Sequence, residues 1–270
     1  MFIEGCRALA GPAAGMSALA QAAVWFLGAG VWFYIQSSVW ESLFHEYLLD
    51  IGPRHRALLF RWRRWLPALW HVHYDHNVLH HYRTYRGSYV AQFDTPADEA
   101  ALQRALRRQV DTATYREMVN SRYGATFTGA GVLPYAIPVA LNLAWLLVTP
   151  GWPAFVAVFC ANLAFATPYF VFSKWIHLHM HSRFDDAMRE APWPVRMVLR
   201  SRYGVAVRIS HFVHHKSPAW NYNLQYLADR LRGRWRAPVA AEWDEMVEIG
   251  LITPKHRASF EGRSFLLHAF

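Results

Sequence analysis

Cysteine and charge are both scarce in this chain of 270 residues. The only two cysteines are Cys6 and Cys160, which excludes a small fold held together by a disulfide framework. Charged residues make up 17% of the chain and hydrophobic residues 54%, which excludes a disordered protein because disorder requires low hydrophobicity. The apolar residues are gathered in long runs and do not alternate with polar residues. An ordinary water-soluble enzyme is therefore not expected.

Three runs of the sequence contain no charged residue and no histidine, and each approaches the length of a membrane helix. They are residues 17–39, 129–149 and 152–172. About 20 helical residues span the roughly 30 Å of bilayer hydrocarbon. Pro150 and Gly151 predict a tight turn between the second and third runs, which would make these two a helical hairpin. The alternative is three buried helices of a soluble bundle, although uncharged runs of this length are rare there.

Arginine and lysine are concentrated in the long segments between and after these runs, whereas the turn at 150–151 and the N-terminus carry almost none. By the positive-inside rule, the basic segments are cytoplasmic and the N-terminus is outside. The same rule accounts for most of the formal net charge of +9, so no nucleic-acid partner is expected. Trp62, Trp65 and Trp70 are interleaved with Arg61, Arg63 and Arg64, which predicts a helix lying in the headgroup layer.

We therefore predict an all-α integral membrane bundle with about three transmembrane helices and a cytoplasmic helical cap rich in histidine. Alternating strand patterns are almost absent, and no internal repeat or low-complexity tract is visible. Residues 1–270 are predicted to form a single domain.

The chain has 15 histidines, and eleven of them fall in three short windows outside the apolar runs. The windows cover residues 71–81, 177–181 and 211–215. Residues three, four or seven apart share one face of an α-helix, so each window can present several imidazoles together, and His73 would share a face with His76 and His80. Imidazole is a strong ligand for iron, zinc, copper and nickel, and these histidines are numerous enough for two ions. The role of His73 stays open. Isolated histidines are expected to be surface or packing residues: His55, His256 and His268.

Four segments resemble the histidine boxes of the membrane-bound fatty acid hydroxylase and sterol desaturase superfamily, which includes the carotenoid ring hydroxylases. The segments are E-S-L-F-H-E-Y-L-L-D from Glu41 to Asp50, H-N-V-L-H-H from His76 to His81, H-L-H-M-H from His177 to His181, and H-F-V-H-H-K-S-P-A-W-N-Y-N-L from His211 to Leu224. The last of these is the most specific. D-R-L-R-G-R-W-R-A-P at 229–238 is similar to the segment that closes this family. The resemblance covers roughly residues 41–90 and 170–238.

Members of this family carry a non-haem di-iron centre, so the resemblance implies two iron ions with O2 as co-substrate. It assigns these metal ligands: His45, Asp50, His76, His80, His81, His177, His181, His211, His214 and His215. The family's first box usually closes with a histidine, and here that position is Asp50. This carboxylate would ligate iron directly, orient a ligand, or leave the site with one ligand fewer. Asn221 is expected to support a ligand from behind.

The resemblance implies hydroxylation of a C–H bond in a lipid-like substrate such as a fatty acid, a sterol or hopanoid, or a carotenoid, with desaturation as the alternative. Two electrons per O2 must come from a separate donor, such as a ferredoxin or a cytochrome b5-like protein, because no glycine-rich dinucleotide motif is present and only about 32 residues follow Pro238. A non-catalytic membrane protein that binds or transports metal is the other alternative. A transporter would be expected to have ionisable residues inside its spans, which these runs lack.

Overall fold

The computed structural model of the protein is helical and contains no β-strand in the part of the chain that it describes. The described residues are 17–126, 133–149, 151–166, 175–222 and 226–262. The predicted all-α fold class is therefore confirmed for these residues. Several features named above lie outside them: Cys6, residues 129–132, Pro150, residues 167–172, residues 223–224 and His268.

The helices are numbered here in chain order. They are α1 (Ala18–Phe44), α2 (Pro53–Trp62), α3 (Pro67–His73), α4 (Pro96–Gln109), α5 (Thr112–Asn120), α6 (Leu133–Leu143), α7 (Trp152–Ala161), α8 (residues 175–180), α9 (Phe184–Glu190), α10 (Trp193–Arg200), α11 (Arg202–Lys216), α12 (Leu227–Leu231), α13 (Ala240–Glu248) and α14 (Pro254–Phe260). Some continue without a break into turns of another width: α1 into π-helical His45–Leu49, α3 into π-helical Tyr74–His81, α6 into 3-10-helical Ala144–Val148 and α7 into π-helical Asn162–Ala166.

The first helix is long and apolar enough to cross a membrane, judged by length and composition. Counted with its π-helical continuation it runs for 32 residues, Ala18–Leu49, with a mean hydropathy of 1.5 in its apolar window. The Ser17 side chain accepts a hydrogen bond from the Ala20 amide and caps its N-terminus. Leu19 and Leu27 are among the large apolar side chains that it leaves exposed. The helix is longer than the predicted first span, 17–39, because it continues into the first histidine box.

The second and third predicted spans correspond to two shorter apolar helical segments, Ala136–Val148 and Trp152–Phe165. Neither reaches the roughly 20 residues that a spanning helix requires, and both predicted spans extend into residues outside the described part of the chain. The described residues therefore contain one helix of spanning length, and the bundle of three membrane spans is not shown.

Buried amide side chains connect α1, α6 and α7. The Gln36 side chain on α1 donates to the Pro138 carbonyl on α6 at 2.9 Å. The Asn142 side chain donates to the Asn162 side chain at 2.9 Å, and Asn162 donates in turn to the Val158 carbonyl at 3.0 Å. An amide in apolar surroundings is stable only when it is paired, so these bonds fix how the three helices face one another.

The helix α11 lies at the centre of the largest hydrophobic core, and it is buried without interruption from Gly204 to His214. Side chains of α8, α10, α13 and α14 pack around it. A Cβ atom at Gly204 would lie 2.1 Å from the Val198 carbonyl oxygen, so only glycine allows α11 to pass this close to the end of α10. The last box of histidines is therefore carried by the most enclosed helix of this core.

Candidate metal centre

The structure brings all ten side chains assigned as ligands into one buried region. They come from the π-helical end of α1, the π-helical continuation of α3, the end of α8, and α11. Two groups have one potential ligand atom per residue within 4.8 Å of one another: His45, Asp50, His76 and His214, and His80, His177, His181 and His211. We call the first group together with His81 cluster A, and the second group together with His215 cluster B. Both groups of four can hold a metal ion.

The π-helical turns explain how residues five apart come to face the same way. In the first box, the Asp50 amide donates to the His45 carbonyl at 2.8 Å and closes an i→i+5 turn. The second box, Tyr74–His81, is π-helical throughout. A turn closed by i→i+5 bonds is wider than an α-helical turn, so residues four and five apart share a face. His76, His80 and His81 therefore project together, while His73 belongs to neither group of close ligand atoms.

Asp50 lies at the centre of cluster A. Its Oδ1 atom is 3.6 Å from Nε2 of both His76 and His81, and its Oδ2 atom is 3.5 Å from Nε2 of His214. Neighbouring ligands bound about 2.1 Å from one ion lie roughly 3.0 to 3.4 Å apart, so these separations are close to those of a ligand shell. The Asn77 side chain donates to Oδ1 at 3.3 Å and orients the carboxylate.

Cluster B is as closely spaced as cluster A. The Nε2 atoms of His181 and His211 are 3.0 Å apart, and those of His80 and His215 are 3.1 Å apart. The two clusters meet where the rings of His81 and His215 stack, with centroids 4.2 Å apart and an interplanar angle of 17°. Two ion-sized groups of donors thus lie side by side.

Backbone carbonyls orient four of the histidines. Each carbonyl accepts a hydrogen bond from Nδ1, so Nδ1 carries the proton and the lone pair of the neutral ring is on Nε2. The pairs are His45 with the Glu41 carbonyl at 3.0 Å, His177 with Ala125 at 2.8 Å, His181 with Tyr89 at 3.2 Å, and His214 with Trp220 at 3.0 Å. This is the arrangement that second-layer groups give to metal-binding histidines.

Burial keeps the imidazoles neutral. It is the largest cause that holds the pKa values of His80, His181 and His211 well below the ordinary range, and the neighbouring histidines lower them further. The pKa of His177 falls to about 4, again mainly through burial. Neutral rings are the form that binds metal.

The donor set fits a cation. Asp50 Oδ2 and His214 Nε2 are buried, 3.5 Å apart, and without a hydrogen-bond partner among the described residues. Two lone pairs facing each other without a donor are unfavourable in a buried site, and a cation between them would satisfy both. Imidazole and carboxylate donors suit iron, zinc and copper alike, so the donors alone leave the metal unidentified.

Comparison of the chain with protein-family models, with curated proteins and with solved structures found no match. The resemblance to the hydroxylase and desaturase superfamily therefore stays a prediction.

Tyrosine rings next to the clusters are a feature that the sequence did not predict. The Tyr85 ring stacks on His181 with centroids 4.1 Å apart, and the Tyr89 ring lies 4.4 Å from His181 on centroids. On the other side, Tyr222 stacks on His45 at 6.2 Å. These tyrosines have no regular spacing from the histidines, and of the three only Tyr222 lies inside one of the four histidine boxes.

Other predicted residues lie behind the clusters. Asn221 has a positive φ of 57° and bonds both backbone polar groups of Arg236, at 2.8 and 3.0 Å. It thereby holds the turn next to Trp220, whose carbonyl orients His214. His73 Nδ1 donates to the carbonyls of Leu48 and Leu49, at 3.0 and 2.9 Å, and anchors the π-helical end of α1.

The segment that closes the resemblance is attached to the first box. Glu46 forms ion pairs with Arg232 and Arg234. The Ser42 hydroxyl donates to Asp229 at 2.6 Å. Asp229, Arg232 and Arg234 therefore attach this segment to the end of α1 and its π-helical continuation.

Proposed function

We propose that this protein is a membrane-bound di-iron oxygenase that hydroxylates a C–H bond of a lipid-like substrate. The observation that carries the proposal is the pair of adjacent buried clusters, A and B, each with five imidazole or carboxylate side chains. Such donors suit iron. When bound, two iron ions would supply the activation of O2 that an unactivated C–H bond requires.

The protein's own side chains prepare this chemistry in three ways. Burial of the clusters excludes water, which strengthens electrostatic interactions and prevents side reactions. The bonds from Nδ1 to backbone carbonyls aim Nε2 inward before any ion arrives, so little rearrangement is needed. The lowered histidine pKa values keep the rings unprotonated at neutral pH, so metal does not have to displace protons.

The arrangement in the membrane is part of the proposal. α1, α6 and α7 would form about three membrane spans, with the N-terminus outside and the histidine clusters at the cytoplasmic surface. The clusters adjoin the end of α1, so an apolar substrate could reach them from the bilayer along this helix. Trp62 and Trp65 are exposed at and just after α2, as expected for residues in the headgroup layer, whereas Trp70 on α3 is half-buried.

A turnover experiment tests the proposed activity. The purified protein, loaded with iron and reconstituted in lipid, is supplied with O2, a reductant and a ferredoxin or cytochrome b5-like electron donor. A mixture of fatty acids, sterols, hopanoids and carotenoids is offered, and the products are analysed by mass spectrometry. Hydroxylation adds one oxygen atom, which is labelled when 18O2 is used, whereas desaturation removes two hydrogen atoms and leaves no label.

His214→Ala and His215→Ala are the matched inactive variants, and His55→Ala, outside both clusters, is the control that should retain activity. We expect both cluster variants to fold and to lose product formation. Full activity in both would contradict the proposal. Iron binding without any O2 consumption would instead favour a protein that binds or transports metal without turnover.

A further inference from the structure

Arg208 is a fully buried cation on α11, placed three residues before His211. A buried guanidinium is costly unless its donors are satisfied. Here backbone carbonyls accept hydrogen bonds from both Nη atoms, while Nε has no partner among the described residues. Nη1 donates to Ser182 at 2.5 Å and to Leu251 at 3.3 Å, and Nη2 donates to His179 at 2.6 Å.

Two of these carbonyls flank His181. The His179 carbonyl is in the last turn of α8, and the Ser182 carbonyl lies just beyond the helix. The helix dipole favours a positive charge near a helix C-terminus, and the last carbonyls there can accept further hydrogen bonds. Arg208 supplies both the donors and the charge. The third carbonyl, of Leu251, lies between α13 and α14, so the same guanidinium joins the C-terminal helices to the histidine box at the end of α8.

The consequence is a fixed spacing between two elements that carry cluster B. His181 follows α8, His211 is on α11, and their Nε2 atoms are 3.0 Å apart. Residues three apart share a helix face, so the side chains of Arg208 and His211 both face the segment around His181 at the end of α8. A planar guanidinium can bridge several carbonyls at once, whereas a lysine ammonium is a point charge on a flexible stem.

We infer that Arg208 is a positioning residue for the metal site of cluster B and that cluster A does not depend on it. The inference rests on the proposed metal centre. It assigns to Arg208 a role in metal affinity at one site only, which is distinct from a general contribution to folding.

Cobalt(II) is the probe for the test, because its absorption spectrum reports each site as it fills. The full-length, metal-free protein in detergent is titrated with cobalt(II), as the wild type and as Arg208→Lys, Arg208→Gln and the control Arg230→Lys. Arg230 stacks on Trp235, with its guanidinium carbon 3.7 Å from the ring centroid, and neither residue belongs to a histidine box. Thermal unfolding of each metal-free variant reports folding separately.

The wild type and Arg230→Lys should bind about two cobalt ions per chain. Arg208→Lys should bind one ion with unchanged affinity and the second about 10- to 100-fold more weakly, as expected when an orienting group is lost. Adding His45→Ala to Arg208→Lys should remove the remaining tight ion, whereas adding His177→Ala should change little. Arg208→Gln keeps N–H donors but removes the charge, and it replaces Arg208→Lys in the titration if the lysine variant does not fold.

Two tight ions in a folded Arg208 variant would overturn the inference, and so would an equal weakening of both. A wild-type protein that is folded but binds no cobalt would overturn the proposed metal centre itself, which is a different result.

Discussion

At the scale of single residues, Asp50 is the position where this chain differs from the family that it resembles. The sequence left three roles open for it: a ligand, an orienting group, or a gap in the ligand set. The structure places its carboxylate oxygens 3.5 to 3.6 Å from the Nε2 atoms of His76, His81 and His214. A carboxylate surrounded in this way contributes negative charge to cluster A whether or not it binds the ion directly.

We predict that Asp50→Ala and Asp50→Asn lose the ion of cluster A and keep that of cluster B. Asp50→His, which introduces the family's usual residue, should retain both ions because the side chain again offers a lone pair at the same place. Metal content per chain measures the outcome, and Asp94→Asn, an exposed carboxylate, is the control. Full metal binding by Asp50→Ala would show that the carboxylate is dispensable.

The buried histidines also predict how stability depends on pH in the metal-free protein. Folding lowers the pKa of His177 to about 4 and those of His80, His181 and His211 well below the ordinary range. In the unfolded chain the pKa of histidine is about 6.5. Below that pH the unfolded state binds more protons, so the free energy of unfolding falls as the pH falls, by up to about 1.4 kcal/mol per pH unit for each such histidine.

Above about pH 7 both states are neutral at these positions and the effect disappears. Thermal unfolding of metal-free protein between about pH 7.5 and about pH 5.5 should therefore show a steep loss of stability toward acid. Histidine-to-leucine replacement at a cluster position should flatten the profile. A melting temperature that stays constant over this range would mean that the rings titrate in the folded state as they do in the unfolded chain, as exposed rings would.

At the scale of helices and turns, the short segment before residue 126 positions cluster B. The Ala125 carbonyl orients His177, and the preceding Gly124 has a φ of +85°. A Cβ atom at Gly124 would lie 2.2 Å from the Asp75 carbonyl oxygen, next to the second box. Glycine is thus required both by the backbone conformation and by close contact with the π-helical segment.

Gly124→Ala should lower the free energy of unfolding by more than the roughly 1 to 2 kcal/mol that a left-handed conformation costs an ordinary residue, because the Asp75 backbone must also move. Gly233→Ala is the matched control, since Gly233 also has a positive φ, +65°, but open space around its Cβ position. Denaturant unfolding measures the cost of backbone strain alone in Gly233→Ala, and of strain plus a clash in Gly124→Ala. An equal loss of unfolding free energy in the two variants would show that the contact with Asp75 does not contribute.

The helices and the histidine windows could be predicted because each depends on local patterns. Long uncharged runs predicted helical segments, and the histidine boxes predicted which residues are candidate metal ligands. The π-helical turns could not be predicted, since an α-helical reading groups His73 with His76 and His80, whereas the structure replaces His73 by His81 on that face. The carbonyls of Ala125, Tyr89 and Trp220 that orient histidines could not be predicted either. Every residue has a backbone carbonyl, so the sequence does not show which of them accepts a bond from a histidine.

At the scale of the whole molecule, the chain joins an apolar helical part to a helical part that holds the histidines. α1 belongs to both, since it is apolar for most of its length and ends in the first box. In the proposed membrane arrangement, the last turns of this helix of 32 residues lie at or beyond the membrane surface, because the helix is longer than the hydrocarbon thickness requires. The role of Arg208 could not be predicted from the sequence, because its partners are backbone groups that only the complete fold brings together.

The central claim is that clusters A and B hold a pair of iron ions, and the metal content of the purified protein tests it most directly. Protein is prepared without an affinity histidine tag from iron-supplemented cells, and iron, zinc and copper are quantified per chain by elemental analysis. We predict about two iron atoms per chain and a substantial reduction in His211→Ala. A folded wild-type protein with little or no bound metal would contradict the account.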